Sequence, residues 1–394
     1  MSDTASIDHV LSTAVERGDA VGVVAAAATT RDTIYEGAFG RREAGKPDVM
    51  TVDSVFWIAS MTKAIVSAAA MQMVEQGKVT LEQDLGAILP ALANPQVLDG
   101  WDGPAKPRLR PARTPISLLH LLTHTAGFSY DMWNAEIGRY MREMDVPGII
   151  TCQHKALTTP LIADPGTRWE YGINIDFAGK LVEVLSGQTL DAYLRDHILQ
   201  PLGMSETGFR IRPEQRGRLV GMHARLPDDS LTPIPFEIPQ EPEFHMGGGG
   251  LYSVARDYLA FCRMVLNSGN LNGAQVLRPE TVELMSRNHI GDIDVTKLVT
   301  VETASSNDAE FFPGMMKKWG LGFMINTEAV PTRRGAGSLT WAGLGNTYFW
   351  IDPTAKIAGV IMTQSLPFAD PAVLGMYDAF ETEVYASTTQ HKAA

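Results

Sequence analysis

Apolar side chains recur at helical spacing from residue 5 to 18 (Ile7, Val10, Leu11, Ala14, Val15), and the pattern then changes. "AVGVVAAAATTRDTIYEGAFGRRE" holds two short strand-like runs around a polar turn at Thr30 to Asp32, which predicts an antiparallel hairpin. A second helical run begins near Ser60 and stops at Gly77, a residue suited to the C-terminal cap. From Ser117 to about Leu202 helical segments alternate with loops; "TLDAYLRDHILQPLGM", ended by Pro201 and Gly203, is the clearest. The Pro-rich stretches "NPQVLDGWDGPAKPRLRPARTP" and "RLPDDSLTPIPFEIPQEPEF" predict loops. "GGGGLYSVARDYLAFCRMVLNSG" predicts a glycine loop running into an amphipathic helix. "KKWGLGFMIN", "GSLTWAG", "TYFWIDP" and "IAGVIMTQS" predict strands, and "PAVLGMYDAFETEVYAS" a final helix. Strands at both ends with helices between them predict an α+β protein. Its sheet domain would take residues 1–80 and 220–394, and a mostly helical inserted domain residues 81–219.

Composition narrows the function classes. A hydrophobic content of 45% and a charged content of 20% are those of an ordinary globular chain. The net charge of −12 argues against nucleic acid or an anionic membrane as partner, since either favours a basic surface. Cys152 and Cys262 lie far apart, forming neither a disulfide framework nor a metal-ligand pair. The histidines show no H-x-E spacing, so neither a metal nor a cofactor is expected. The first residues carry early acids and no apolar core, unlike a signal peptide, and no apolar run approaches the roughly 20 residues that span a bilayer. These features predict a cytoplasmic protein.

One lysine stands out. In "FWIASMTKAIVSAAAMQMVEQGK", Lys63 sits among Ile58, Ala59, Ala64, Ile65 and Val66, where little polar surface is near, and burying an ammonium is expensive. Ser60 lies three residues before it, so both side chains share one helix face. No other lysine of the chain has a serine at that offset. A serine hydroxyl needs a neighbouring base to become a nucleophile, and a lysine serves once burial depresses its pKa. The positive field of a helix N-terminus works in the same direction and favours an oxyanion beside Ser60. The plainer alternative is that Ser60 caps the helix and Lys63 reaches out to solvent.

The surrounding segments bear on that choice. "WIASMTKAIVSAAAMQMVEQGKVTLEQDLGAILP", "ISLLHLLTHTAGF", "PGTRWEYGIN", "LQPLGMSETGF", "GGGGLYSVARDYLAFCRMVL" and "TWAGLGNTYFWIDP" follow in that order. Together they resemble the serine β-lactamase and penicillin-binding-protein superfamily, in particular its class C β-lactamase-like branch and the family VIII carboxylesterases. The resemblance covers most of the chain and implies an antiparallel sheet flanked by helices, with the helical insertion. It implies Ser60 as nucleophile with Lys63 and Tyr171 as a shared base, and an oxyanion hole made by the backbone N–H groups of Ser60 and Leu344. The superfamily's second motif, Y-x-N, is here Tyr171-Gly172-Ile173, with Asn174 one residue late. Its third, Lys-Thr-Gly, is Trp341-Ala342-Gly343, where an indole offers an apolar wall and one uncharged donor, and Gly343 permits close approach of the strand. Losing the amide at 173 and the cation at 341 disfavours anionic peptides and β-lactams and suits a neutral ester.

His124 invites a Ser-His-Asp triad, but the resemblance makes it structural, and no G-x-S-x-G pentapeptide offers an elbow serine. Phe244 and His245, beside the glycine loop, are expected near the pocket, as is Trp133. Tyr130, Phe311, Phe312, Met315 and Met316 fit either an acyl pocket or plain core. The sequence therefore predicts a serine carboxylesterase acting on small short-chain esters through an acyl-enzyme on Ser60. A β-lactamase or D-Ala-D-Ala peptidase, an acyltransferase and a non-catalytic binding protein are its alternatives.

Overall fold

The computed structural model describes residues 4–393. Five longer helices frame it: α1 (Ala5–Arg17), α2 (Thr62–Glu75), α3 (Asn174–Ser186), α4 (Ala255–Leu266) and α5 (Pro371–Ala393). The main sheet has seven strands: β1 (Gly22–Thr29), β2 (Thr33–Gly40), β3 (Lys317–Trp319), β4 (Met324–Asn326), β5 (Leu339–Gly343), β6 (Thr347–Asp352) and β7 (Ile357–Met362). Their spatial order is β3-β4-β5-β6-β7-β1-β2, with every neighbouring pair antiparallel. The sheet thus closes the C-terminal strands onto the N-terminal hairpin, and residues 81–219 give it no strand. This is the antiparallel sheet flanked by helices that the resemblance implies.

Two consecutive residues of β6 show how the sheet is covered. Phe349 packs on Tyr258 of α4, whereas Trp350 packs on Phe380 of α5. Successive strand residues face opposite sides, so helices shield both faces. For that reason β6 and β7 are buried at every position and read as unbroken apolar runs rather than alternating ones. Gly359 lies across from Trp350, and a Cβ there would run into the indole. Helix α2 is buried from Thr62 to Met73 and packs on α3, which explains its apolar composition on all sides.

Both Pro-rich stretches depart from the loops predicted for them. Gln96–Trp101 pairs with Pro107–Pro111, and Met222–Arg225 pairs with Leu231–Ile234. Pro107 and Pro111 belong to a two-stranded ribbon and Pro233 to an edge strand, the places where a missing N–H does no harm. "KKWGLGFMIN" likewise folds as two strands, turning at Gly322, whose φ is +98°. Among the described residues no helix is long and apolar enough to cross a membrane.

Candidate active site

Ser60 is presented by a turn pinned from several sides. The Trp57 N–H donates to Gln364 Oε1 at 3.1 Å, and Gln364 Nε2 donates back to the Trp57 carbonyl at 3.0 Å. The Trp57 indole N–H donates to the Gly249 carbonyl at 2.7 Å. Ala59 then takes a left-handed φ of +43°, a conformation costly for a residue with a Cβ. A short 3-10 turn, Ala59–Met61, leads into α2. The end of β5 lies hard against this turn: a Cβ on Gly343 would meet the Ile58 carbonyl and Thr347 Oγ1. Among the described residues neither the Ser60 nor the Leu344 amide donates to a protein acceptor, and both residues border the same recess. Two free N–H groups beside a serine hydroxyl are what an oxyanion requires.

Lys63 does not reach solvent, being 1% exposed. Its Nζ lies 2.9 Å from Ser60 Oγ, donates to the Tyr130 hydroxyl at 3.1 Å and donates to the Gly248 carbonyl at 2.6 Å. Burial pushes its pKa down, to about 7, against the pull of the Asp176 charge. The tetraglycine loop makes this approach possible. A Cβ on Gly247 would lie 2.9 Å from the Ile175 carbonyl, and one on Gly248 would lie 2.5 Å from Asp176 Oδ2.

Tyr171 stands on the other side of Ser60. Its phenol feels the Ser60 hydroxyl, which favours its ionised form, and receives the Trp341 indole N–H at 2.8 Å. Lys63 Nζ lies 4.8 Å from its ring centre. Burial raises this phenol above the usual tyrosine range, although Ser60 and Trp341 oppose the shift. Gly172 lets the segment lie against residues 128–130, with a Cβ there only 2.5 Å from Ser129 Cα. The rings of Tyr130 and Tyr171 therefore meet edge to face, 5.4 Å apart.

The structure brings Ser60, Lys63, Tyr171, Gly343 and Leu344 together, but it redistributes the remaining candidates. Trp341 does not border the recess beside Ser60: it is buried among Tyr171, Trp169, Trp319 and Phe311, with its one donor committed to Tyr171. Ile173 is buried in the main core beneath α3 rather than lining the recess. Phe244 stacks on His154 and His245 packs on Phe209, and neither borders the recess beside Ser60. Trp133 does border the recess, together with Trp57, Tyr130, Ile149, Ile150 and Met246. Asn174 Nδ2 donates to His124 Nδ1 at 2.9 Å, and the His124 ring packs on Tyr171 at 4.7 Å. Sequence reasoning left Tyr130 undecided and passed over Asp176 and the Gly248 carbonyl. Asp176 carries the same signal as Lys63, a charge between Ile175 and Phe177 inside an apolar helix.

The recess beside Ser60 is apolar and narrow, about 40 Å³. A separate groove of about 780 Å³ is lined by Asp131, Gly138, Met141, Arg142, Lys155 and Glu302. Both take lining residues from the loops at 130–133 and 148–150. Among the described residues no three His, Cys, Asp or Glu side chains gather as a metal site would require.

The beta-lactamase family profile matches residues 7–382. The chain belongs to the beta-lactamase family. Within that family it is 31% identical over 385 residues to ML-236A carboxylate methylbutanoyltransferase of Penicillium citrinum, covering 92% of this chain and 90% of that one. It is 30% identical over 406 residues to the lovastatin esterase of Penicillium rubens, covering 96% and 98%. A mutant of simvastatin synthase from Aspergillus terreus superposes with a TM-score of 0.85 at 29% identity, over 98% of this chain and 99% of that one. This beta-lactamase-family member is thus an enzyme of the serine hydrolase and acyltransferase kind, similar to a methylbutanoyltransferase and an esterase.

Proposed function

We propose that this protein is a cytoplasmic serine carboxylesterase, akin to the family VIII enzymes, that cleaves short-chain esters through an acyl-enzyme on Ser60. One observation carries the reading: a fully buried amine, Lys63, lies 2.9 Å from the Ser60 hydroxyl, its proton affinity lowered by that burial. As the neutral amine it takes the Ser60 proton while Oγ attacks the ester carbonyl. The N–H groups of Ser60 and Leu344 hold the oxyanion. The Tyr171 phenol, raised by burial and so kept protonated, passes its proton to the departing alkoxide and regains one from Lys63. Water then repeats the sequence on the acyl-enzyme. The narrow apolar recess suits a short acyl group, and the larger polar groove suits a bulkier alcohol. No amide or ammonium stands where a β-lactam would need one, because Asn174 is bonded to His124 and position 341 is an indole.

A second reading, acyl transfer to an alcohol, draws support from the methylbutanoyltransferase relative. Both share the acyl-enzyme and differ in what resolves it. The test is turnover of p-nitrophenyl acetate, butyrate and octanoate, and of a chromogenic cephalosporin, by wild type and Ser60→Ala, with and without an added alcohol. Hydrolysis of short esters that vanishes in Ser60→Ala supports the esterase. Release of p-nitrophenol only when alcohol is present supports the transferase. Dominant cephalosporin cleavage, or activity indifferent to Ser60→Ala, overturns both.

A further inference from the structure

Asp176 on α3 is wholly buried and takes no part in the steps above. Its Oδ1 accepts the Gly248 N–H at 2.8 Å, while the Gly248 carbonyl accepts from Lys63 Nζ at 2.6 Å. One glycine therefore stands between the carboxylate and the amine. The other oxygen, Oδ2, has no hydrogen-bond partner among the described residues. It lies 2.5 Å from the point where a Cβ on Gly248 would sit, and that point is 3.1 Å from the Tyr130 hydroxyl. Residue 248 is thus a glycine so that a buried carboxylate can face the phenol that touches Lys63.

Of the three neighbours of Nζ, the Gly248 carbonyl can only accept. It binds an N–H whether Lys63 is charged or neutral, and the lone pair of the neutral amine must then face the Ser60 or the Tyr130 hydroxyl. Fixing Gly248 therefore aims the lone pair. We propose that Asp176 is a positioning residue, which orients Lys63 through Gly248 and, by its charge, sets the pH at which the Lys63 amine becomes free. The inference rests on the reading of Lys63 as the base.

The electrostatics agree with the geometry. Burial lowers the Lys63 pKa and Asp176 opposes this; burial raises the Asp176 pKa and Lys63 opposes that in turn. Among the described residues, the other titratable groups coupled to this pair are Tyr130 and Tyr171, both raised by burial and by Asp176, and Cys152, raised likewise. His124 is held neutral by burial and by Lys63. None of these four carries charge near neutral pH to replace that of Asp176.

Asp176→Asn keeps the shape and an oxygen for the Gly248 N–H but removes the charge. The measurement is the pH dependence of two rates: Ser60 labelling by a fluorophosphonate, and kcat/KM on p-nitrophenyl butyrate. Without the carboxylate the ammonium loses its counter-charge, so the acid limb of both profiles moves down by about one pH unit. Asp176→Glu, which keeps the charge, retains the wild-type limb. If Asp176→Asn yields no folded protein, Asp176→Ser takes its place, with the same downward shift expected. Wild-type labelling together with superimposable limbs in the uncharged variant overturns the role of Asp176 and leaves Lys63 as base. Failure of wild-type Ser60 to label overturns the base assignment and this inference with it.

Discussion

The Trp341 indole N–H points at the Tyr171 hydroxyl across 2.8 Å, and both side chains are buried. The one donor of the indole is thus committed to the tyrosine. Its hydrogen bond favours negative charge on the phenol oxygen, and so helps when the phenol gives up its proton. Trp341→Phe keeps an aromatic ring among Trp169 and Trp319 but removes the donor. The expected result is a fall in kcat of about tenfold, the worth of one good hydrogen bond, with KM nearly unchanged. An unaltered kcat would assign the indole to packing alone.

The pH profile follows from burial of Lys63. Its ammonium has no lone pair, so kcat/KM should fall tenfold per pH unit as pH drops below about 7, where this amine takes up its proton. Tyr171 and Tyr130 are both raised above the usual phenol range, so they give no loss of activity between pH 8 and about 10, the ordinary tyrosine value. Stopped-flow assays over buffers of constant ionic strength would reveal the limb. A limb near the ordinary lysine value, well above neutrality, would show that the amine is hydrated in solution.

Much of this site is legible along the chain because its first contact is local. Ser60 and Lys63 are one helical turn apart, and a charge inside "IASMTKAIVSAAA" draws attention by itself. The sheet is legible too, since its strands are short apolar runs at both ends. What escapes is the set of contacts between distant segments. Tyr130 reaches Lys63 across 67 residues and Gly248 across 185, and spacing says nothing about such pairs. Phe244 and His245 precede the tetraglycine loop in sequence, yet they pack on His154 and Phe209 and do not border the recess. The two hairpins escape because proline, usually a loop signal, is tolerated on their edges.

Gly343 tests the contact between β5 and the turn that carries Ser60. A Cβ there has backbone on one side, the Ile58 carbonyl, and backbone does not give way as a flexible side chain would. Gly343→Ala should push Leu344 away from Ser60 and lower kcat about a hundredfold, as loss of one oxyanion donor does. It should also destabilise the fold by about 1–3 kcal/mol through overpacking. Gly217→Ala is the control, because nothing lies within 4 Å of its added carbon. Thermal melts beside the kinetics separate the two effects, and equal behaviour of the two variants would mean that the strand does not constrain the site.

The recess sets which acyl group is accepted, and Met246 is the side chain whose loss would deepen it. Met246 is buried in one apolar cluster with Trp57, Ala59 and Phe244 and borders the recess, whereas Ile150, on the same recess, is exposed. Met246→Ala removes apolar volume from the interior, at about 2–5 kcal/mol of stability. The carbonyl of residue 246, which receives the Gly249 and Gly250 N–H groups, is unchanged by the substitution. The ratio of kcat/KM for p-nitrophenyl octanoate over butyrate should therefore rise about tenfold, the worth of burying roughly two methylenes. Ile150→Ala widens the mouth without deepening the interior and should speed both esters alike. If instead Ile150→Ala changes the ratio and Met246→Ala does not, the acyl chain leaves Ser60 toward the 780 Å³ groove and the alcohol occupies the recess.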